Sequence, residues 1–154
     1  MENSVIAMEK INNVMDEIAD SRKALIKAFR THYINVRDKQ MSEKTLYRSK
    51  RRNRMRYVCI SNEYLKRIQN LSSIFSQFKI LGPGVVEYGS RTRGNFRICR
   101  VGEKDCFRNS IWIHINLIQE LIYGMWPANP SISVEFEKYK KLISEFKRLS
   151  YEIK

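Results

Sequence analysis

Cys99, Cys106 and His114 follow one another with six and seven intervening residues, and Cys59 is a distant fourth of the same kind. These types could hold a metal ion or supply a nucleophile with its base. The spacing has no tight cysteine pair of the sort that structural zinc sites use, so free thiols in or near the core are the better reading. A Cys–His nucleophile also needs a third group to orient the histidine, and no cluster of carboxylates offers one. His32 falls towards the end of a basic helical stretch, where complementing the helix dipole explains it. No phosphate-binding GxxxxGK[ST] loop and no GxGxxG occurs. No catalytic residue, metal or other cofactor is therefore assigned, and a non-enzymatic protein is expected.

Charge points to a different chemistry. Arg48, Lys50, Arg51, Arg52, Arg54 and Arg56 crowd into residues 47–56, and no acid lies between Lys44 and Arg56. Residues 1–20 carry one lysine against five acids, whereas residues 21–56 carry thirteen lysines and arginines against two acids. The whole 154-residue chain stands at +13. Holding so much like charge together costs self-repulsion, and a polyanion relieves it. Arginine dominates the run, which suits forked phosphate contacts better than a merely solvated face. Arg91 and Arg93 lie in a glycine-bracketed turn, with Arg97, Arg100 and Arg108 beyond it. Nucleic acid is the expected partner, contacted by Arg48, Lys50, Arg51, Arg52, Arg54, Arg56, Arg91, Arg93, Arg97 and Arg108, with Tyr57, Tyr88 or Trp112 stacking on unpaired bases. Recognition of double-stranded RNA by shape is the alternative within this class. An oligomerising helical module with a basic targeting signal is the alternative outside it.

The elements that must position these groups follow from hydrophobic period. Val5, Met8, Ile11, Met15, Ile18, Leu25 and Phe29 predict a helix over 4–33, followed by a basic linker to about residue 53. Alternation predicts a strand at 54–61, and Leu65 to Phe78 return to helical spacing. Gly82-Pro83-Gly84 is a firm break. Beyond it, 85–89, 95–101 and 110–116 predict a three-stranded antiparallel meander. In that register Arg97 and Arg100 cannot share a face unless a bulge intervenes. Trp112, His114 and Asn116 would project together from the last strand, either into solvent or into a second core layer. A short helix at 117–125 and a C-terminal helix at 131–154 complete a single α+β domain of three or four strands with N-terminal, middle and C-terminal helices. In the last helix Tyr139, Leu142, Phe146, Leu149 and Ile153 step as a short heptad seam, open either to the core or to a homodimer.

Residues 96–122, with Ile113, Ile115, Asn116, Gln119 and Leu121, are similar to the end of the PC4-like family of single-stranded-DNA-binding transcription cofactors. Met55-Arg56-Tyr57-Val58 resembles an earlier strand of that family, although the helical spacing at 62–78 departs from it. The resemblance implies a dimer with a basic, aromatic β-surface for melted DNA, and Arg56, Arg97 and Arg108 as phosphate contacts. Three cysteines cannot all pair internally, which together with the absence of a signal sequence or membrane span leads to an intracellular expectation. A nuclear site is expected if the host is eukaryotic. The Ile, Asn and Lys usage suggests a viral or mobile-element origin.

Overall fold

Glu2–Glu43 form one uninterrupted helix, α1, in the computed structural model. The structure describes residues 2–43, 71–90, 94–123 and 129–153. Ile11, Val14, Ile18, Leu25, Phe29 and His32 recur at three-, four- and seven-residue steps and are buried, with Ser21 on the same stripe and Met15, Ile26 and Ala28 half-buried at its margins. The helix continues past residue 33, into part of the expected linker. No Gly or Pro stops it there, and Arg37, Lys39, Gln40, Met41 and Glu43 are good helix formers. The expected strand at 54–61 lies outside the described residues, as does most of the expected helix at 62–78.

Within the span expected as the middle helix, residues 71–76 are helical and are termed α2. Gln77 ends it, its amide donating to the carbonyl of Ser73 at 2.9 Å and its side chain to Ser73 Oγ at 2.7 Å. Phe78 then opens a strand rather than closing the helix. The sheet is β1 (Phe78–Gly82), β2 (Val85–Ser90) and β3 (Asn95–Arg100), antiparallel throughout, with β2 in the centre. Pro83 and Gly84 join the first two strands, and Gly84 has φ 69°, the left-handed geometry that a type II turn puts at its third residue.

The meander therefore exists, with a different third member. Residues 110–116, expected as a strand, belong to a 20-residue helix, α3 (Lys104–Tyr123). Ile111, Ile113 and Ile115 alternate, but the longer pattern of Phe107, Ser110, Ile111, His114 and Ile118 has helical steps. No Gly or Pro interrupts those twenty residues, so the longer period prevails. The short helix expected at 117–125 is the end of α3. Conversely, FKILG at 78–82 supplies the missing strand, with Phe78 and Ile80 facing the core.

A final helix, α4 (Pro130–Glu152), begins as expected: Asn129 Oδ1 accepts from the amide of Ser131 at 3.0 Å, and Pro130 sits where no donor is needed. It runs antiparallel to α1. The Asn129 amide lies 2.8 Å from His32 Nδ1, and at the far end Glu145 feels Lys10. Ile132, Phe136, Tyr139, Ile143, Phe146 and Leu149 are buried along this seam, each burial contributing about 1.5–3 kcal/mol. Of the heptad-stepped residues Tyr139, Phe146 and Leu149 are thus buried within the chain, with Leu142 and Ile153 half-buried against the core. α3 fills the space between α4 and the inner face of the sheet. Among the described residues no helix is long and apolar enough to cross a membrane.

Candidate nucleic-acid interface

Strand pairing sorts the side chains of the sheet. Phe78, Tyr88 and Arg97 lie in one row, and Ile80, Val86 and Cys99 in the next, on the face that packs on the helices. Lys79, Glu87 and Ile98 form a row on the opposite face, flanked by the pairs Val85–Arg100 and Gly89–Phe96. Register across 95–100 is regular, without a bulge, so Arg97 and Arg100 do point to opposite faces. Arg97 is nevertheless exposed, on edge strand β3, where Cys99 alone is buried. Phe96 and Ile98 remain 42% and 43% exposed beside Arg100. Gly89 opposite Phe96 is dictated by space: a Cβ there would press into the backbone of Asn95 and Phe96.

α3 presents the second group. Its outward positions Arg108, Trp112, Asn116, Gln119 and Tyr123 follow at steps of four, four, three and four, which align on one helical stripe. Trp112 is 67% exposed and Tyr123 77%. Asn116 Nδ2 donates to the Trp112 carbonyl at 2.9 Å, and Gln119 Nε2 to Tyr123 Oη at 2.8 Å. Trp112 is therefore neither on a strand nor in a second core layer; it is open to solvent one turn from Arg108. Arg97, Arg100 and Arg108 pair with no carboxylate among the described residues. The ion pairs there are confined to α4, where Arg148 holds Glu145 and Glu152.

His114, expected beside Trp112, points the other way. It is fully buried, stacked on Phe78 at 4.3 Å between centroids and edge-on to Phe75, with Nε2 2.7 Å from Tyr139 Oη. Burial, and then the positive charge of Arg22, hold its pKa well below 6.5, so the ring is neutral. Burial likewise pushes the Tyr139 phenol up, with Arg22 opposing weakly. The Arg22 guanidinium itself donates to the Phe75 carbonyl and lies over that ring. Nδ1 of His114 has no partner among the described residues, whichever tautomer forms.

Cys99 and Cys106 are joined in a disulfide, with Cα atoms 5.7 Å apart. This corrects the expectation of free thiols, and it removes two of the four ligands from the metal arrangement considered above. Among the described residues no group of three His, Cys, Asp or Glu could hold a metal ion.

Of the expected contacts, the structure describes Arg97, Arg108, Trp112 and Tyr88. Tyr88 is half-buried against the core, where desolvation raises its pKa, so it offers no open stacking face. Arg48, Lys50, Arg51, Arg52, Arg54, Arg56, Tyr57, Arg91 and Arg93 lie outside the described residues. Sequence reasoning did not assign Phe96, Arg100 or Tyr123 to the site. Phe96 and Arg100 were legible from strand alternation, but Tyr123 emerges only once α3 is known to be one helix. The strand that the PC4-like resemblance implies at 110–116 is helical here. No family model, curated protein or solved structure matches the chain.

Proposed function

We propose that this protein binds nucleic acid, with single strands preferred, through the outward surface of β3 and the solvent-facing stripe of α3. The observation that carries the reading is the pairing of arginines that meet no carboxylate among the described residues with exposed apolar side chains: Arg108 beside Trp112, and Arg100 on the strand face of Ile98 and Phe96. Cations attract the backbone, and open aromatic faces accept bases that are not already stacked in a duplex. The arginine run at 47–56 adds charge to the same chain, and the total of +13 favours any polyanion. Leaving a tryptophan ring in water is unfavourable, and an unpaired base is a flat cover of suitable polarity.

Fluorescence anisotropy with single-stranded and duplex DNA and RNA, at two salt concentrations, tests this. Submicromolar, salt-sensitive binding to single strands is expected. Trp112→Ala should weaken it roughly 5- to 150-fold, the equivalent of about 1–3 kcal/mol per stacked base. The Arg51→Ala/Arg52→Ala/Arg54→Ala variant should weaken it further. Absence of binding to all four at low salt would overturn the proposal. A duplex-RNA preference indifferent to Trp112 would replace it with recognition by shape.

A further inference from the structure

We propose that the Cys99–Cys106 disulfide is a redox latch that sets the spacing of the two arginine-bearing elements, an inference that rests on the binding surface proposed above. Cys99 is the penultimate residue of β3 and Cys106 lies in the first turn of α3. Arg100 adjoins one half-cystine, and Arg108 follows the other by two residues. With 5.7 Å between the cysteine Cα atoms, backbone geometry holds the Arg100 and Arg108 Cα atoms within about 15 Å. Side chains of that length and separation reach phosphates of one strand. Besides the bond and the packing of α3 on the sheet, the chain connection is the short turn 101–103, pinned by Val101 donating to the Gly84 carbonyl at 3.0 Å and Glu103 to the Arg100 carbonyl at 2.8 Å.

Both redox states have a place for their atoms. Cys106 is partly exposed and Cys99 is buried, so an incoming small thiol of the glutathione class attacks Cys106 Sγ. That breaks the S–S bond, forms a mixed disulfide at Cys106 and expels the Cys99 thiolate, which takes a proton. A second small thiol then attacks the mixed disulfide, frees Cys106 as a thiol and leaves as the small-molecule disulfide. Two electrons thus pass from two small thiols to the protein. The released Cys99 thiol already has an acceptor: Ser110 Oγ sits 3.3 Å away, and its own proton goes to the Cys106 carbonyl at 2.7 Å. Phe107, fully buried, keeps α3 attached to the core after reduction. Reduction therefore loosens the first turn of α3 without dismantling the fold, and the arginine spacing then rests on the turn and on the packing of Phe107, without a covalent tie.

The experiment compares the full chain after treatment with oxidised glutathione and after dithiothreitol. Thiol titration should count one free thiol in the first state and three in the second, from the three cysteines present. Three in both states overturns the latch. Amide exchange over residues 101–110, measured without nucleic acid, should quicken at least tenfold on reduction; unchanged exchange also overturns it. Oligothymidylate affinity should fall fivefold or more on reduction, and Cys106→Ser should bind like the reduced chain in either condition. Equal affinity of the two states refutes regulation by the bond. Failure of both states to bind, with exchange still redox-dependent, refutes the binding reading and leaves the latch standing.

Discussion

Acidification should weaken this fold as it passes the ordinary histidine range, and His114 contributes a share whose size follows from its burial. The ring is enclosed by Phe75, Phe78 and Tyr139, from α2, β1 and α4, with Arg22 approaching from α1. The charged group facing it is thus a cation, and among the described residues no anion offsets a proton on the ring. Its folded pKa is depressed, while the unfolded chain titrates near 6.5. Above 6.5 both states are neutral and histidine contributes nothing to pH dependence. Below 6.5 the unfolded chain takes up a proton that the folded chain refuses, so stability falls with falling pH. The limiting slope is about 1.4 kcal/mol per pH unit, and between pH 7 and pH 5 the loss comes to roughly 2 kcal/mol if the buried ring stays neutral. Urea unfolding followed by circular dichroism at pH 7, 6 and 5 measures it directly. His114→Gln keeps a polar partner for Tyr139 and cannot titrate, so its stability should decline less than the wild type by that amount. His32 and the carboxylates are common to both proteins and cancel in the comparison. Identical pH slopes for the two would refute the assignment of a neutral, proton-refusing ring.

Two further substitutions probe the elements that place the surface. Asn129→Ala removes both the N-cap of α4 and its contact with His32, and urea midpoints should report a loss of about 1–2 kcal/mol; a neutral result would mean that the helix start needs no cap. Gly89→Ala forces a Cβ to 2.6 Å from the Phe96 Cα, so β2 and β3 must part. A loss of about 1–3 kcal/mol or more is expected, with weaker nucleic-acid binding because Phe96 moves; retention of full stability would show that the strand pair is looser than drawn.

The α1–α4 pair was legible in the sequence because each helix repeats its apolar residues over many turns, and a long pattern averages out local exceptions. The β2–β3 hairpin was legible for a related reason, since alternation and glycine-bracketed turns agreed over 85–101. The third strand was misplaced where two periods overlapped. Ile111, Ile113 and Ile115 satisfy a strand over five residues, whereas Phe107 to Ile118 satisfy a helix over twelve, and the longer period, packed on α4 and the sheet, prevails. FKILG was hidden because Phe78 also fits the spacing of the preceding helix. Within the site, the opposite facing of Arg97 and Arg100 came straight from the pleat. The disulfide did not, because its seven-residue separation is meaningful only once β3 turns back onto α3.

The most direct measurement is the salt dependence of oligothymidylate binding by the wild type and by Arg100→Ala/Arg108→Ala. Each phosphate contact on a single strand contributes about 0.7 to the slope of log affinity against log salt concentration. Removing both arginines should therefore lower the slope by roughly 1.4, with the fold intact by circular dichroism. A folded double variant whose affinity and slope match the wild type would contradict the central claim, because the arginines beside Trp112 and Phe96 would then touch no phosphate.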